Sequence, residues 1–175
     1  NEIGPGVLWV AIIFAGTLGL NRSFMIEKEQ GCLQGIMLTP ADRSTIYFGK
    51  LVSNILFLSI MEAFILPVFM IFFNLDILHR LPGLLFVVAL GSFGFCALGT
   101  LLSSLAVNLK TREIMLPILL YPLSVPVVIG AVKMTSQLMS GKTLADLGNW
   151  IGLISCFDIV FIAVSIITID HILEE

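Results

Sequence analysis

The chain has 175 residues, of which 58% are hydrophobic and only 12% are charged, and its mean hydropathy is +1.06. A soluble domain is roughly 45–50% apolar, so this composition indicates a membrane protein. The net charge of −3 comes without a basic stripe and gives no reason to expect nucleic acid as a partner. The odd number of cysteines, Cys32, Cys96 and Cys156, and their wide separation suggest neither a disulfide framework nor a zinc site.

Five apolar runs predict an all-α, polytopic helix bundle within a single transmembrane domain, residues 1–175. Each run is close to or above the ~18 residues that indicate a transmembrane helix. Arg22 is expected to end the first span, Pro82-Gly83 to form the entrance to the third, and Lys133 to Asn149 to make a polar connection before the fifth. The predicted spans are about 3–20, 46–73, 84–107, 114–132 and 150–169.

A charged insert between the first two spans is the most informative segment. It predicts an amphipathic helix over about residues 24–38, which Thr39-Pro40 ends because the residue before proline is driven out of the α region. In permeases of ATP-driven transporters, the cytoplasmic ATPase pushes on a short helix of this type. A helix that only lies on the membrane surface is the alternative, but such helices favour Lys and Arg, whereas this one has two glutamates and one lysine. The candidate coupling residues are Glu27, Glu29, Gly31, Leu33 and Pro40.

The basic residues set the orientation. Six of them lie on the side of the insert and three on the other side, which places the insert in the cytoplasm. The six are Arg22, Lys28, Arg43, Lys50, Lys110 and Arg112, and the three are Arg80, Lys133 and Lys142.

Two carboxyl groups fall inside predicted spans, Glu62 near mid-membrane in the second and Asp158 nearer a quarter-point of the fifth. Intramembrane carboxylates are costly and by default are functional or paired. Each could instead be protonated or hydrogen-bonded between helices. An ATP-independent channel or proton-coupled transporter built on these two residues is therefore an alternative function, although a proton relay normally needs a chain of such groups.

The fourth span contains Pro117, Pro122 and Pro126. Each internal proline removes a backbone donor, so the helix is expected to bend or partly unwind there, with Ser124 as a candidate replacement partner. This region is a candidate hinge, and a static kink that serves packing is the alternative.

The chain offers little for catalysis. Ser140-Gly-Lys-Thr143 looks like the end of a phosphate-binding loop, but Ser136 stands where its first glycine belongs and no strand precedes it. An ATPase must then be another chain. His79 and His171 are isolated, and no nucleophile–base pair is evident. We expect no enzyme activity, no metal site and no directly bound cofactor.

Three segments resemble the CcmB family, the haem exporter B permeases of the cytochrome c maturation ABC transporter, which are related to type-2 ABC permeases. They are Gly4-Pro-Gly-Val-Leu-Trp-Val-Ala11, the insert from Glu27 to Pro40, and Leu116-Pro-Ile-Leu-Leu-Tyr-Pro-Leu-Ser-Val-Pro126. They occur in the family's order and at about its spacing. Family members have six spans, so the resemblance and the initial Asn1 lead us to expect that a first span is missing.

The resemblance implies a multi-pass protein of the bacterial inner membrane, working with a CcmA-like ATPase, a CcmC-like haem-handling protein and a small CcmD-like subunit. ATP hydrolysis would be coupled to haem export or to release of the haem-loaded chaperone CcmE, with haem as cargo. A type-2 ABC exporter permease for another substrate is the nearest alternative.

Overall fold

The computed structural model describes residues 3–29, 43–73, 77–106 and 112–172. Within these ranges the chain forms five long α-helices and contains no strand, and each helix has a segment long and apolar enough to cross a membrane. The predicted all-α polytopic bundle is thereby confirmed. The helices are α1 (Gly4–Glu29), α2 (Arg43–Phe72), α3 (Ile77–Leu105), α4 (Arg112–Met139) and α5 (Gly148–Ile172), with a short 3₁₀ helix at Leu144–Leu147.

Large apolar side chains cover the outside of the bundle as well as its interior. Phe64, Ile71 and Phe72 of α2 and Ile159 and Ile167 of α5 are more than two-thirds exposed. Lipid solvates such a surface, and a helix is the natural conformation there because all its backbone bonds are made internally.

Contacts between the helices define an alternating up-and-down arrangement. Asn54 and Glu62 of α2 meet Thr100 and Ser92 of α3, so the residue numbers run in opposite directions along the two helices. By the same reasoning α1 is antiparallel to α4, because Trp9 bonds Thr135 while Phe14 lies beside Tyr121.

Helix α3 is the centre of the bundle and packs against all four other long helices. Every residue from Gly94 to Ser103 is buried. Glycines let neighbouring helices approach closely, as is usual where transmembrane helices pack. Gly91 receives the ring of Trp9, Gly94 the carboxyl group of Asp158, and Gly99 the side chain of Leu20.

Three helix ends differ from the expectation. Helix α1 does not end at Arg22 but continues to Glu29, because the segment contains good helix formers and no glycine or proline. Helix α3 begins at Ile77, so Pro82-Gly83 lies inside it. The helix continues through Pro82 because this proline deprives only one carbonyl, that of Leu78, of its hydrogen-bond donor. Helix α4 extends beyond Lys133 to Met139, which makes the connection to α5 much shorter than predicted.

Candidate functional site

The charged insert is described only in part. Glu27 and Glu29 lie in the final turns of α1, directly continuous with the membrane-spanning part of that helix. Gly31, Leu33 and Pro40 lie outside the described residues, as do all positions of the predicted 24–38 helix from residue 30 onward. The segment from Arg22 to Glu29 extends α1 by about 12 Å at ~1.5 Å per residue.

Trp9 anchors the opposite end of α1. Its Nε1 donates a hydrogen bond of 3.0 Å to Thr135 Oγ1 of α4, and its ring lies against Gly91 of α3. The side chain is 1% exposed. A single residue therefore joins three helices. Sequence reasoning missed this role, although a tryptophan N–H buried in apolar surroundings usually finds an acceptor.

A row of polar contacts joins α2 to α3. Ser92 Oγ donates to Glu62 Oε1, and Asn54 Nδ2 donates to Thr100 Oγ1 at 2.9 Å. Further along α2, the hydroxyl of Tyr47 donates to the backbone carbonyl of Ala97 at 3.1 Å. Glu62 is thus hydrogen-bonded between helices, one of the alternatives predicted for it.

Asp158 has a different environment. It is 4% exposed, and both its carboxylate oxygens lack a hydrogen-bond partner among the described residues. It is the eleventh of the 25 residues of α5 and so lies near the middle of the helix rather than at a quarter-point. Its carboxyl group lies against Gly94 of α3.

The structure places Glu62 and Asp158 against different faces of α3. Their contact residues, Ser92 and Gly94, are two positions apart, which corresponds to about 200° around a helix of 3.6 residues per turn. The two carboxyl groups therefore do not form one paired site. The alternative function that uses both of them would need a separate path on each side of α3.

Helix α4 is continuous through Pro117, Pro122 and Pro126, so the expected local unwinding does not occur. Ser124 Oγ donates to the carbonyl of Tyr121 at 3.0 Å. This carbonyl is not one of those that the prolines deprive of a donor, so Ser124 does not act as the expected replacement partner. Whether the helix bends there stays a prediction.

A groove of about 360 Å³ lies between α1 and α4 beside these prolines. Its walls are almost entirely apolar, and the side chains with a polar group are Ser124 and Tyr121. The lining residues are Val10, Ile13, Phe14, Tyr121, Ser124, Val125, Val128 and Ile129.

The segment that looks like the end of a phosphate-binding loop is a helix-terminating turn. Gly141 has φ 91°, its N–H bonds the carbonyl of Leu138, and the Lys142 N–H bonds that of Gln137, the pattern of a Schellman motif. Next, the Asp146 carboxylate accepts from the backbone N–H and the hydroxyl of Thr143, and these bonds hold its pKa below the usual value. The residues therefore cap α4 and start the next helix.

The described residues contain no group of three or more His, Cys, Asp or Glu side chains that could hold a metal ion. His79 lies in the first turn of α3 and His171 in the last turn of α5, at opposite ends of the bundle, and their side chains are outside the described set.

In the part of the chain that the structure describes, four apolar helices pack against a fifth, which is buried and glycine-lined, and this arrangement defines a multi-pass membrane protein. The CcmB protein family model matches residues 1–175. The chain belongs to the CcmB family.

Curated relatives support this assignment. The chain is similar to heme exporter protein B of Pseudomonas aeruginosa, at 29% identity over 140 residues, which are 78% of this chain and 62% of the relative. It is 27% identical to heme exporter protein B of Bradyrhizobium diazoefficiens over 141 residues, covering 81% and 63% of the two chains. The matched region thus spans about three-fifths of the length of these relatives. No solved structure is significantly similar to the chain.

Proposed function

We propose that the chain is a permease subunit of a haem-exporting ABC transporter of cytochrome c maturation, located in the bacterial inner membrane. It would couple ATP hydrolysis by a CcmA-like partner to haem export or to release of the haem-loaded chaperone CcmE. CcmC-like and CcmD-like proteins would complete the complex, with haem as its cargo. Membership of the CcmB family and the names of the relatives support this function.

The observation that carries the mechanism is the continuity of α1. One helix runs from the buried Trp9 to the charged cluster that ends at Glu29. Because the helix has no break, a force applied to its charged end acts directly on the part of the helix inside the bundle.

The neighbours of α1 define where such a force would go. Gly19 lies against Phe57 of α2, and Gly99 of α3 lies against Leu20. At the far end, the Trp9 hydrogen bond reaches α4. A displacement of α1 would therefore move or strain its contacts with α2, α3 and α4, and α3 lies in the centre of the bundle.

Helix α4 is the element that we propose to respond. Pro117, Pro122 and Pro126 each remove one backbone hydrogen bond from it, which lowers the cost of bending. The adjacent groove between α1 and α4 leaves space for a change in their relative position. Bending of α4 would connect movement at the cytoplasmic side to the outer side.

The charged end of α1 can be tested by reversing its two acidic residues. Glu27→Lys with Glu29→Lys should abolish co-purification of the ATPase and cytochrome c assembly in cells, while the chain still inserts into the membrane. An unchanged yield of complex and of cytochrome c would refute the coupling role.

Two controls separate the site from a general effect of charge. Lys142→Glu reverses an exposed charge at the other end of the bundle and should leave the complex intact. Glu27→Gln with Glu29→Gln removes the charges without adding opposite ones, and should have an intermediate effect. Purification of an active chain without any nucleotide-binding subunit would instead favour the ATP-independent alternative.

A further inference from the structure

Asp158 occupies a position in which a charge has no compensation. It is 4% exposed, and neither carboxylate oxygen has a hydrogen-bond partner among the described residues. Glu62, the other buried carboxyl group of the described spans, accepts a bond from Ser92. An unpaired carboxylate in an apolar interior is far more costly than the neutral acid.

The carboxyl group occupies space that only a glycine leaves open. A Cβ at position 94 of α3 would overlap Asp158 Oδ1. Helix α5 can therefore lie close to α3 at this level because Gly94 has no side chain. The contact between Asp158 and Gly94 seals the carboxyl group between two helices.

No described side chain forms a hydrogen bond with the carboxyl group of Asp158. On α2, Glu62 accepts a hydrogen bond from Ser92. Tyr47, also on α2, lies beside Ser165, which is seven residues along α5 from Asp158. The other titratable side chains described on the elements packed against α5 are Lys50 of α2, Cys96 of α3, Tyr121 and Lys133 of α4, and Asp146 of the 3₁₀ helix. Tyr121, Lys133 and Asp146 are exposed, and Cys96 is buried.

We propose that Asp158 is a proton-binding site whose occupancy controls the packing of α5 on α3. With the proton bound, the neutral acid lies against Gly94 and the helices stay in contact. When the proton leaves, the carboxylate requires water, and α5 separates from α3 at this level. A hard metal cation is a poor fit, because Mg²⁺ and Ca²⁺ need about six or more oxygen ligands and this site offers the two of one carboxyl group.

This inference does not depend on the ATPase partner, so it can be tested on the purified chain in lipid bilayers. Dicyclohexylcarbodiimide reacts with protonated carboxyl groups in apolar surroundings and adds its whole mass to them. Peptide mass spectrometry should find the adduct on Asp158 at neutral pH and a decrease along one titration curve as the pH rises. Asp146, which is exposed and held ionised by Thr143, is the internal control and should stay unlabelled.

Variants identify the site. Asp158→Asn should lose this adduct, and Glu62→Gln should keep it. Gly94→Ala should change the fraction of Asp158 that carries the adduct, because the added methyl group displaces the carboxyl group. The infrared band of a protonated carboxylic acid should be present in the wild-type chain and reduced in Asp158→Asn. Absence of both the adduct and the infrared difference at neutral pH would overturn the proposal.

Hydrogen–deuterium exchange tests the link to packing. After correction for the intrinsic effect of pH, exchange around Gly94 and Asp158 should rise with pH in the wild-type chain and not in Asp158→Asn, whose amide imitates the neutral acid. If exchange rose equally with pH in the wild-type chain and in Asp158→Asn, the proposal that the proton controls packing would be overturned.

Discussion

The hydrogen bond between Trp9 and Thr135 permits a quantitative test of how α1 is held. Thr135→Val keeps the shape of the side chain and removes the acceptor, so the indole N–H is left buried without a partner. The Thr135 hydroxyl also donates to the carbonyl of Ala131 at 2.8 Å, and this bond within α4 is lost as well.

The expected magnitude follows from the burial. Thr135 is fully buried and Trp9 is 1% exposed, so an unsatisfied indole N–H should cost about 1–3 kcal/mol. Trp9→Phe leaves the Thr135 hydroxyl still bonded to Ala131 and acts mainly through lost volume, below the about 3–5 kcal/mol of a Trp→Ala change. The coupling energy from a double-mutant cycle should be about 0.6 kcal/mol and at most about 1.7 kcal/mol, the range for hydrogen bonds between membrane helices.

Unfolding in mixed micelles with increasing SDS provides the measurement. The chain has two tryptophans, so the fluorescence of Trp150 can follow unfolding in the wild type, in both single variants and in the double variant. Thr17→Val is the matched control: Thr17 is buried, and within the described residues its hydroxyl donates to the carbonyl of Ile13 in the same helix, at 2.8 Å. Equal costs of Thr135→Val and Thr17→Val, with no coupling in the cycle, would refute the anchoring of α1 through Trp9.

Three further predictions concern the prolines of α4, haem, and the turn between Thr143 and Asp146. Pro122→Ala with Pro126→Ala should stiffen α4 and lower cytochrome c assembly in cells; intact assembly would leave the prolines a role in shape only. The purified chain should show no stoichiometric haem absorption, and a Soret band that disappears in His79→Ala would contradict this. At pH values above the ordinary aspartate pKa, ionised Asp146 stabilises its turn, and this stabilisation is lost as the pH falls through its lowered pKa. Thr143→Ala removes the hydroxyl that donates to the carboxylate, so it should raise the pKa of Asp146 in an NMR titration.

The membrane spans could be predicted from composition, because twenty apolar residues have few alternatives to a helix in lipid. The ends of the helices could not. Charged residues after Leu20 suggested an end at Arg22, yet Glu, Lys and Met favour helix and the chain continues to Glu29. Prolines suggested unwinding of α4, but removing one donor at a time leaves the neighbouring backbone bonds able to keep the helix.

The candidate site could be predicted only as a list of residues. Glu62 and Asp158 are visible in the sequence because carboxyl groups are rare inside spans. Their partners depend on which residues of α3 face α2 and α5, and the relative register of packed helices is not written in either helix alone. Gly94 illustrates this, since the chain has 15 glycines and nothing local marks the one that faces Asp158.

The hydrogen bonds that join the helices link residues far apart in the sequence, and this has a consequence for how the protein is made. Asn54 enters the bilayer 46 residues before its partner Thr100, and Trp9 enters 126 residues before Thr135. At a synthesis rate of ~5–20 residues per second, Thr135 is made roughly 6–25 seconds after Trp9. During synthesis α1 and α2 therefore have polar groups whose partners do not yet exist, and the insertion machinery or a membrane chaperone would have to shelter them until the later helices arrive.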